Sequence, residues 1–231
     1  RYTSNIPRQV GLAGSSAIIV ATLRALMEFY GIEIPREVQP SLVLSVETGE
    51  LGITAGLQDR VIQVYGGVVM MDFSRERTRC VQGYECGRYE SLDAAGLPPL
   101  YVAYSTDVGE PTEVFHNRLR ERFDAGDQEV VQAMTRFADL ALEASEALRS
   151  GETGTLHRIM DENYDTRSAI CNLPTSPTTM VSAARSTGAS AKFAGSGGAI
   201  IGTFRDEEMY QRLVEELGAI GCRVLKPVVI P

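Results

Sequence analysis

The run Pro7-Arg8-Gln9-Val10-Gly11-Leu12-Ala13-Gly14-Ser15-Ser16-Ala17 leads directly into an apolar stretch with helical spacing, and it constrains the fold more than any other segment. Gly11 and Gly14 permit positive φ angles and a close backbone approach that a Cβ would block. Ser15 and Ser16 are suited to cap the helix that follows. The free amides of a first helical turn, with the positive end of the helix dipole behind them, make a site for an anion. A plain helix start would use the same residues, so the run alone leaves both readings open. A second glycine run, Lys192-Phe193-Ala194-Gly195-Ser196-Gly197-Gly198-Ala199, lies between the apolar segments 189–194 and 199–204 and predicts a strand-turn-strand hairpin.

Hydrophobic spacing predicts helices over 17–30, stopping at Gly31, and over 40–46 with Pro40 in the first turn. A third helix, over 57–65, ends at Gly66-Gly67 before a strand over 68–73. Residues 74–96 show no period and read as an irregular connection with room for a short strand. Leu97-Pro98-Pro99 marks a domain boundary, followed by a strand over 100–104 and helices over 112–124, 127–149, 154–170 and 177–187. After the glycine hairpin come a helix over 206–217 and a strand over 223–230. Early and late strands with helices between predict an α+β sandwich, one antiparallel sheet packed by helices.

Composition narrows the function. At 231 residues, 44% apolar and 23% charged, the chain has the make-up of an ordinary globular protein. A net charge of -8 argues against a nucleic-acid-binding face, which needs clustered excess Lys and Arg. Cys80, Cys86, Cys171 and Cys222 form no Cys-x-x-Cys pair, and His116 and His157 lie far apart, which argues against zinc. Unpatterned thiols fit a reduced, cytoplasmic protein. No apolar run reaches the roughly 18 residues of a membrane span.

The two glycine runs resemble the second and third signature motifs of the GHMP kinases, the superfamily of galactokinase, homoserine kinase, mevalonate kinase and phosphomevalonate kinase. Between them, Ala55-Gly56-Leu57-Gln58-Asp59-Arg60-Val61-Ile62-Gln63-Val64-Tyr65-Gly66-Gly67 resembles the catalytic-aspartate segment of that superfamily's sugar kinases. Residues 7–17 and 56–73, the run Asn163-Tyr164-Asp165-Thr166-Arg167 and the last glycine turn are most similar to the plant-type glucuronokinases. The first loop is one residue longer than the superfamily's usual spacing, since Ala13 and Gly14 both precede the serines. The first motif is absent, and the chain opens at Arg1 without an initiator Met. We therefore expect a fragment lacking about a hundred preceding residues, most of a small domain.

The resemblance implies a two-domain α+β fold. Residues 1–98 would be the later part of a ribosomal-S5-like, ATP-binding N-terminal domain, and 99–231 a ferredoxin-like C-terminal domain. It implies ATP and Mg2+, no membrane or nucleic-acid partner, and phosphorylation of the anomeric hydroxyl of glucuronate. The alternatives are a galactose-, arabinose-, fucose- or heptose-type kinase, or a non-catalytic sensor of nucleotide and sugar. Retention of both Glu47 and Asp59 favours an enzyme over a sensor.

Residue roles follow from the same resemblance. Gly11, Ala13, Gly14, Ser15 and Ser16 would bind phosphate, with Gly195, Ser196 and Gly197 shaping the site. The Ser16 hydroxyl and Glu47 would hold magnesium, Glu50 being the rival acid. From the residues alone, Glu47 reads as an exposed helix end. Asp59 would take the proton of the acceptor hydroxyl. Its apolar neighbours Leu57 and Val61 read as a buried setting for it, and a salt bridge to Arg60 or a cap for the following helix is its structural alternative. Arg60 would stabilise transition-state charge or point away. Arg167 would receive the sugar carboxylate, or else pair with Asp165 or Glu162. Lys192, by its position at the head of the hairpin, is within reach of phosphate, but the resemblance gives this turn mainly a shaping role and so favours Gly195, Ser196 and Gly197 over the lysine.

Overall fold

The computed structural model describes residues 3–7, 10–52, 55–106, 113–195 and 197–230, with backbone alone over 113–118. Residues 13–94 with 229–231 form one compact unit, and 1–12 with 95–228 form the other. Arg8, Gln9, Thr112 and Ser196 lie outside the described residues.

The smaller unit is built on three helices: α1 (Gly14–Tyr30), α2 (Gln39–Ser45) and α3 (Leu57–Tyr65). Each contributes one valine to a shared seam, Val20, Val43 and Val64, all at most 4% exposed. The apolar spacing in the sequence aims these positions inward. Gly31 ends α1 as expected, in the left-handed conformation, with the Ile32 amide donating back to the Met27 carbonyl. Beyond α2 the chain continues as a single π-turn, Val46–Glu50.

Residues 74–96 are not irregular. After β1 (Val68–Asp72) come β2 (Arg79–Val81), β3 (Tyr84–Cys86) and β4 (Arg88–Leu92). β2 and β3 pair across Gln82-Gly83, both at positive φ (52° and 86°), as a two-residue hairpin turn of the mirror-image kind requires. β4 returns to pair antiparallel with β1, Val68 opposite Leu92. These strands are too short and too exposed to show the alternation that reveals a strand in sequence.

The larger unit holds a four-stranded antiparallel sheet of β5 (Leu100–Ser105), β6 (Lys192–Phe193), β7 (Ala199–Thr203) and β8 (Cys222–Leu225), in the order β6-β7-β5-β8. Taken in chain order within the unit, the strands run fourth-first-third-second from the β8 edge. This is the order of a ferredoxin-like β-α-β-β-α-β arrangement. The single sheet expected from sequence is thus three sheets among the described residues. The last strand stops at Leu225 rather than running to 230.

Helices α4 (Glu113–Asp124), α5 (Gln128–Ser150), α6 (Leu156–Ile170) and α7 (Thr175–Ser186) fill the β5–β6 crossover, and α8 (Glu207–Ala219) the β7–β8 one. Asp127 and Asp206 cap α5 and α8 by accepting first-turn amides. Tyr101, Met180, Ala184, Phe193, Ile200, Leu213 and Leu217 form the core against the sheet. Tyr101 buries its hydroxyl by donating to the Ser190 carbonyl oxygen at 2.8 Å.

Candidate functional site

The first glycine loop differs in detail from its sequence reading. Gly11 takes the positive φ (73°) expected of it, but the second such position is Ala13 (51°), not Gly14, which is already the first residue of α1. Neither serine caps the helix. Ser15 is exposed, and Ser16 is fully buried, its Oγ donating to the Ala13 carbonyl oxygen at 2.9 Å. A hydroxyl that spends its proton this way presents only lone pairs to anything else. The first turn of α1 contains no acidic residue, so no fixed negative charge opposes an anion at its amides.

Glu47 is not the exposed helix end that its position suggests. It is 0% exposed, and the π-turn carries it under α3. There Arg60 Nε donates to its Oε2 at 2.5 Å, Arg60 Nη2 lies 2.5 Å from the same oxygen, and Nη1 donates to the Gly56 carbonyl at 3.0 Å. Sequence reading missed this pair because thirteen residues separate its members and no local signal joins them. The other carboxylate oxygen, Oε1, is buried with no hydrogen-bond partner among the described residues. Glu50, the rival acid, is exposed.

Ser16, Glu47 and Arg60 each lie one helical turn from a valine of the seam: Val20, Val43 and Val64 respectively. α2 runs opposite to α3, since both Val43 with Val64 and Glu47 with Arg60 meet. Arg24, one turn beyond Val20 on α1, donates to the Gln63 and Val64 carbonyls in the last turn of α3.

Asp59 adjoins this cluster but is not buried, its side chain being 51% exposed. Leu57 and Val61 flank it in sequence, yet successive helix positions are about 100° apart, and it is Arg60 and Val61 that turn inward. Its Oδ2 lies 3.6 Å from Arg60 Nη1, so the pairing weighed from sequence exists, with Glu47 as the guanidinium's main partner.

In the larger unit the start of the chain meets the second glycine turn. A Cβ on Gly11 would fall 2.1 Å from the Gly197 carbonyl oxygen, and one on Gly198 within 3.1 Å of the Val10 carbonyl. Val10 and Leu12 pack with Tyr104 and Ala199. Arg167 joins the turn by donating from Nη1 to the Gly195 carbonyl at 2.9 Å. The pairings considered for it do not occur, because Asp165 is held by Arg185 and Glu162 by Arg136 and Arg158. Lys192 Nζ donates to the Phe193 carbonyl at 2.8 Å. Among the described residues no cluster of three or more His, Cys, Asp or Glu side chains is arranged to hold a metal, and no helix is long and apolar enough to cross a membrane.

Comparison with known proteins places this geometry. Residues 1–67 match the GHMP kinases N terminal domain. The chain is 42% identical over 233 residues to probable glucuronokinase 2 of Arabidopsis thaliana, an alignment covering 98% of this chain and 62% of that protein. It is 40% identical over 234 residues to glucuronokinase 1 of the same plant, covering 99% and 63%. The chain thus spans less than two thirds of the length of these relatives. Among solved structures, mevalonate kinase of L. major in complex with R-mevalonate superposes with a TM-score of 0.70 at 20% identity, covering 94% of this chain and 67% of that one, a likeness of fold. The likeness runs through both compact units and does not stop at residue 67: the first 67 residues match the GHMP kinase N-terminal domain, and nearly the whole chain is similar to the two glucuronokinases.

Proposed function

We propose that this chain forms part of an ATP-dependent sugar kinase that phosphorylates the anomeric hydroxyl of glucuronate, giving glucuronate 1-phosphate by in-line transfer. The observation that carries the reading is the 40–42% identity, over 98–99% of the chain, to relatives named as glucuronokinases. We place the reaction in the cytoplasm, on the need for ATP and on four cysteines that form no disulfide. The domain limits 1–98 and 99–231 belong to the same proposal.

Phosphoryl transfer asks a protein for positioning and charge stabilisation more than for covalent chemistry. We assign the amides of Gly14, Ser15 and Ser16 to the phosphates, supported by the long α1 behind them and the absence of acid in its first turn. Gly11, Ala13, Gly195, Ser196 and Gly197 are assigned to shaping the loops.

Magnesium prefers oxygen ligands and few carboxylates. The Ser16 hydroxyl, its proton given to Ala13, and the unpartnered Glu47 Oε1 fit that preference. When bound, the ion neutralises charge on the transferred group. Arg60 contributes by fixing the Glu47 carboxylate through Oε2. Asp59, open enough to meet a solute, is assigned to accept the proton of the attacking hydroxyl. Arg167 is assigned to the sugar carboxylate, for which a guanidinium fork is the natural partner.

The test offers the full-length protein labelled ATP with a panel of glucuronate, galactose, arabinose, fucose, a heptose phosphate, mevalonate and homoserine. Preferential labelling of glucuronate at the anomeric oxygen supports the reading. Preference for another acceptor corrects the substrate, and transfer to none favours the sensor alternative.

A further inference from the structure

Two cations stand together at the foot of the glycine turn with no carboxylate between them. Arg167, on α6, donates to the Gly195 carbonyl and lies with its guanidinium carbon 5.1 Å over the Phe193 ring. Lys192 donates to the carbonyl of that same phenylalanine. These bonds use one of the five N–H groups of Arg167 and one of the three of Lys192. The nearby acids are committed elsewhere. Asp161 pairs with Arg185 at 2.9 Å and accepts the Ala191 amide at 2.9 Å, and Asp165 holds Arg185 at 2.6 Å. Glu162 takes Arg136 at 2.6 Å and Arg158 at 2.7 Å. Among the described residues neither Arg167 nor Lys192 has an ion-pair partner.

Burial, and then the repulsion of Arg167, pull Lys192 down to about 8, and burial lowers Arg167 as well. Two like charges partly withdrawn from water, with no counter-charge among the described residues, cost free energy that a bound anion would return. We propose that Lys192 and Arg167 together form a receptor for an oxyanion, their unused donors converging on a carboxylate or phosphate group of a substrate beside Gly195. A sugar acid and a nucleotide share that chemistry. This deepens the kinase reading by adding Lys192 to the binding machinery. Its test reads binding rather than transfer, so it fails separately from that reading.

Calorimetric titration of the full-length protein and of Lys192→Met and Lys192→Arg with glucuronate, glucose and Mg-ATP decides it. A charge-assisted hydrogen bond lost from the receptor weakens the anionic ligand by about 10- to 100-fold in Lys192→Met. Lys192→Arg, which keeps the charge, stays within a few-fold, and glucose binding does not move. Loss confined to glucuronate identifies the carboxylate as the occupant, and loss confined to Mg-ATP identifies phosphate. If Lys192→Met does not fold, Lys192→Gln, which keeps a donor for the Phe193 carbonyl, is read in its place. Unchanged affinity for both anions in a folded variant overturns the proposal. Equal loss for glucose, or wild-type protein that binds neither anion, does so too.

Discussion

Removing Arg60 is the sharpest test of the way the smaller unit holds its buried acid. Glu47 is fully buried, and at 2.5 Å its attraction to the Arg60 guanidinium is about 7 kcal/mol for an effective dielectric constant near 20. Most of that gain is offset by desolvation of the two ions, so the pair as a whole adds little. Deleting one member is a different matter, because it strands the other charge out of water at a cost of about 3–5 kcal/mol. Arg60→Met keeps the aliphatic bulk and removes only the charge and donors. In a chain of this size each kcal/mol lowers Tm by about 2–4 °C, so scanning calorimetry should find the unfolding transition about 6–20 °C lower. Glu47→Gln added to Arg60→Met removes the stranded charge and should recover much of that loss, a coupling that a double-mutant cycle measures. A single-variant shift below about 2 °C, or strict additivity of the two changes, would refute the claim that the pair is dry and mutually dependent.

Asp59→Ala should lower kcat by about 10²- to 10⁴-fold, the usual worth of a positioned general base. Its half-exposed side chain predicts a stability change within about 0.5 kcal/mol, so a large shift in melting would show a structural role instead. Gly11→Ala places a Cβ 2.1 Å from the Gly197 carbonyl oxygen at a φ of +73° and should destabilise the larger unit by about 1–3 kcal/mol or more, read by chemical denaturation. An unchanged denaturation midpoint would contradict the close approach of the two loops. Lys192 has a folded-state value near 8, below its ordinary 10.5, set by burial and Arg167. Between those values the unfolded chain binds more protons, so its contribution makes stability rise with pH over that window. Lys192→Met should therefore raise Tm at pH 7, with the advantage fading toward pH 10.5, and a variant no more stable at pH 7 would count against the unpaired cation.

The helices were legible in sequence because burial on one face writes itself into the spacing of apolar residues. Val20, Val43 and Val64 of the three-helix seam, and the Gly31 stop, are examples. Strands β2 to β4 were not legible. β4 depends on pairing with the distant β1, Val68 with Leu92, while β2 and β3 pair locally across Gln82-Gly83 and bury too little to alternate. The candidate site was half legible. Motif resemblance selected Ser16, Glu47, Asp59 and Arg60, but not which of the two acids is buried. Burial of Glu47 depends on where α3 brings Arg60, and exposure of Asp59 on a single 100° step around the same helix. Lys192 read as a residue within reach of phosphate at a glycine turn, but not as an unpaired cation, because the absence of a nearby counter-ion is a property of the assembled unit, where Arg185, Arg136 and Arg158 have taken the acids of α6.

A crystal structure of the full-length protein with magnesium, a non-hydrolysable ATP analogue and glucuronate addresses the central assignment most directly. The account predicts a metal ion at about 2.0–2.1 Å from both Ser16 Oγ and Glu47 Oε1, with Asp59 within hydrogen-bond reach of the anomeric hydroxyl. Magnesium coordinated without Glu47, its Oε1 still buried and unpartnered, would contradict it.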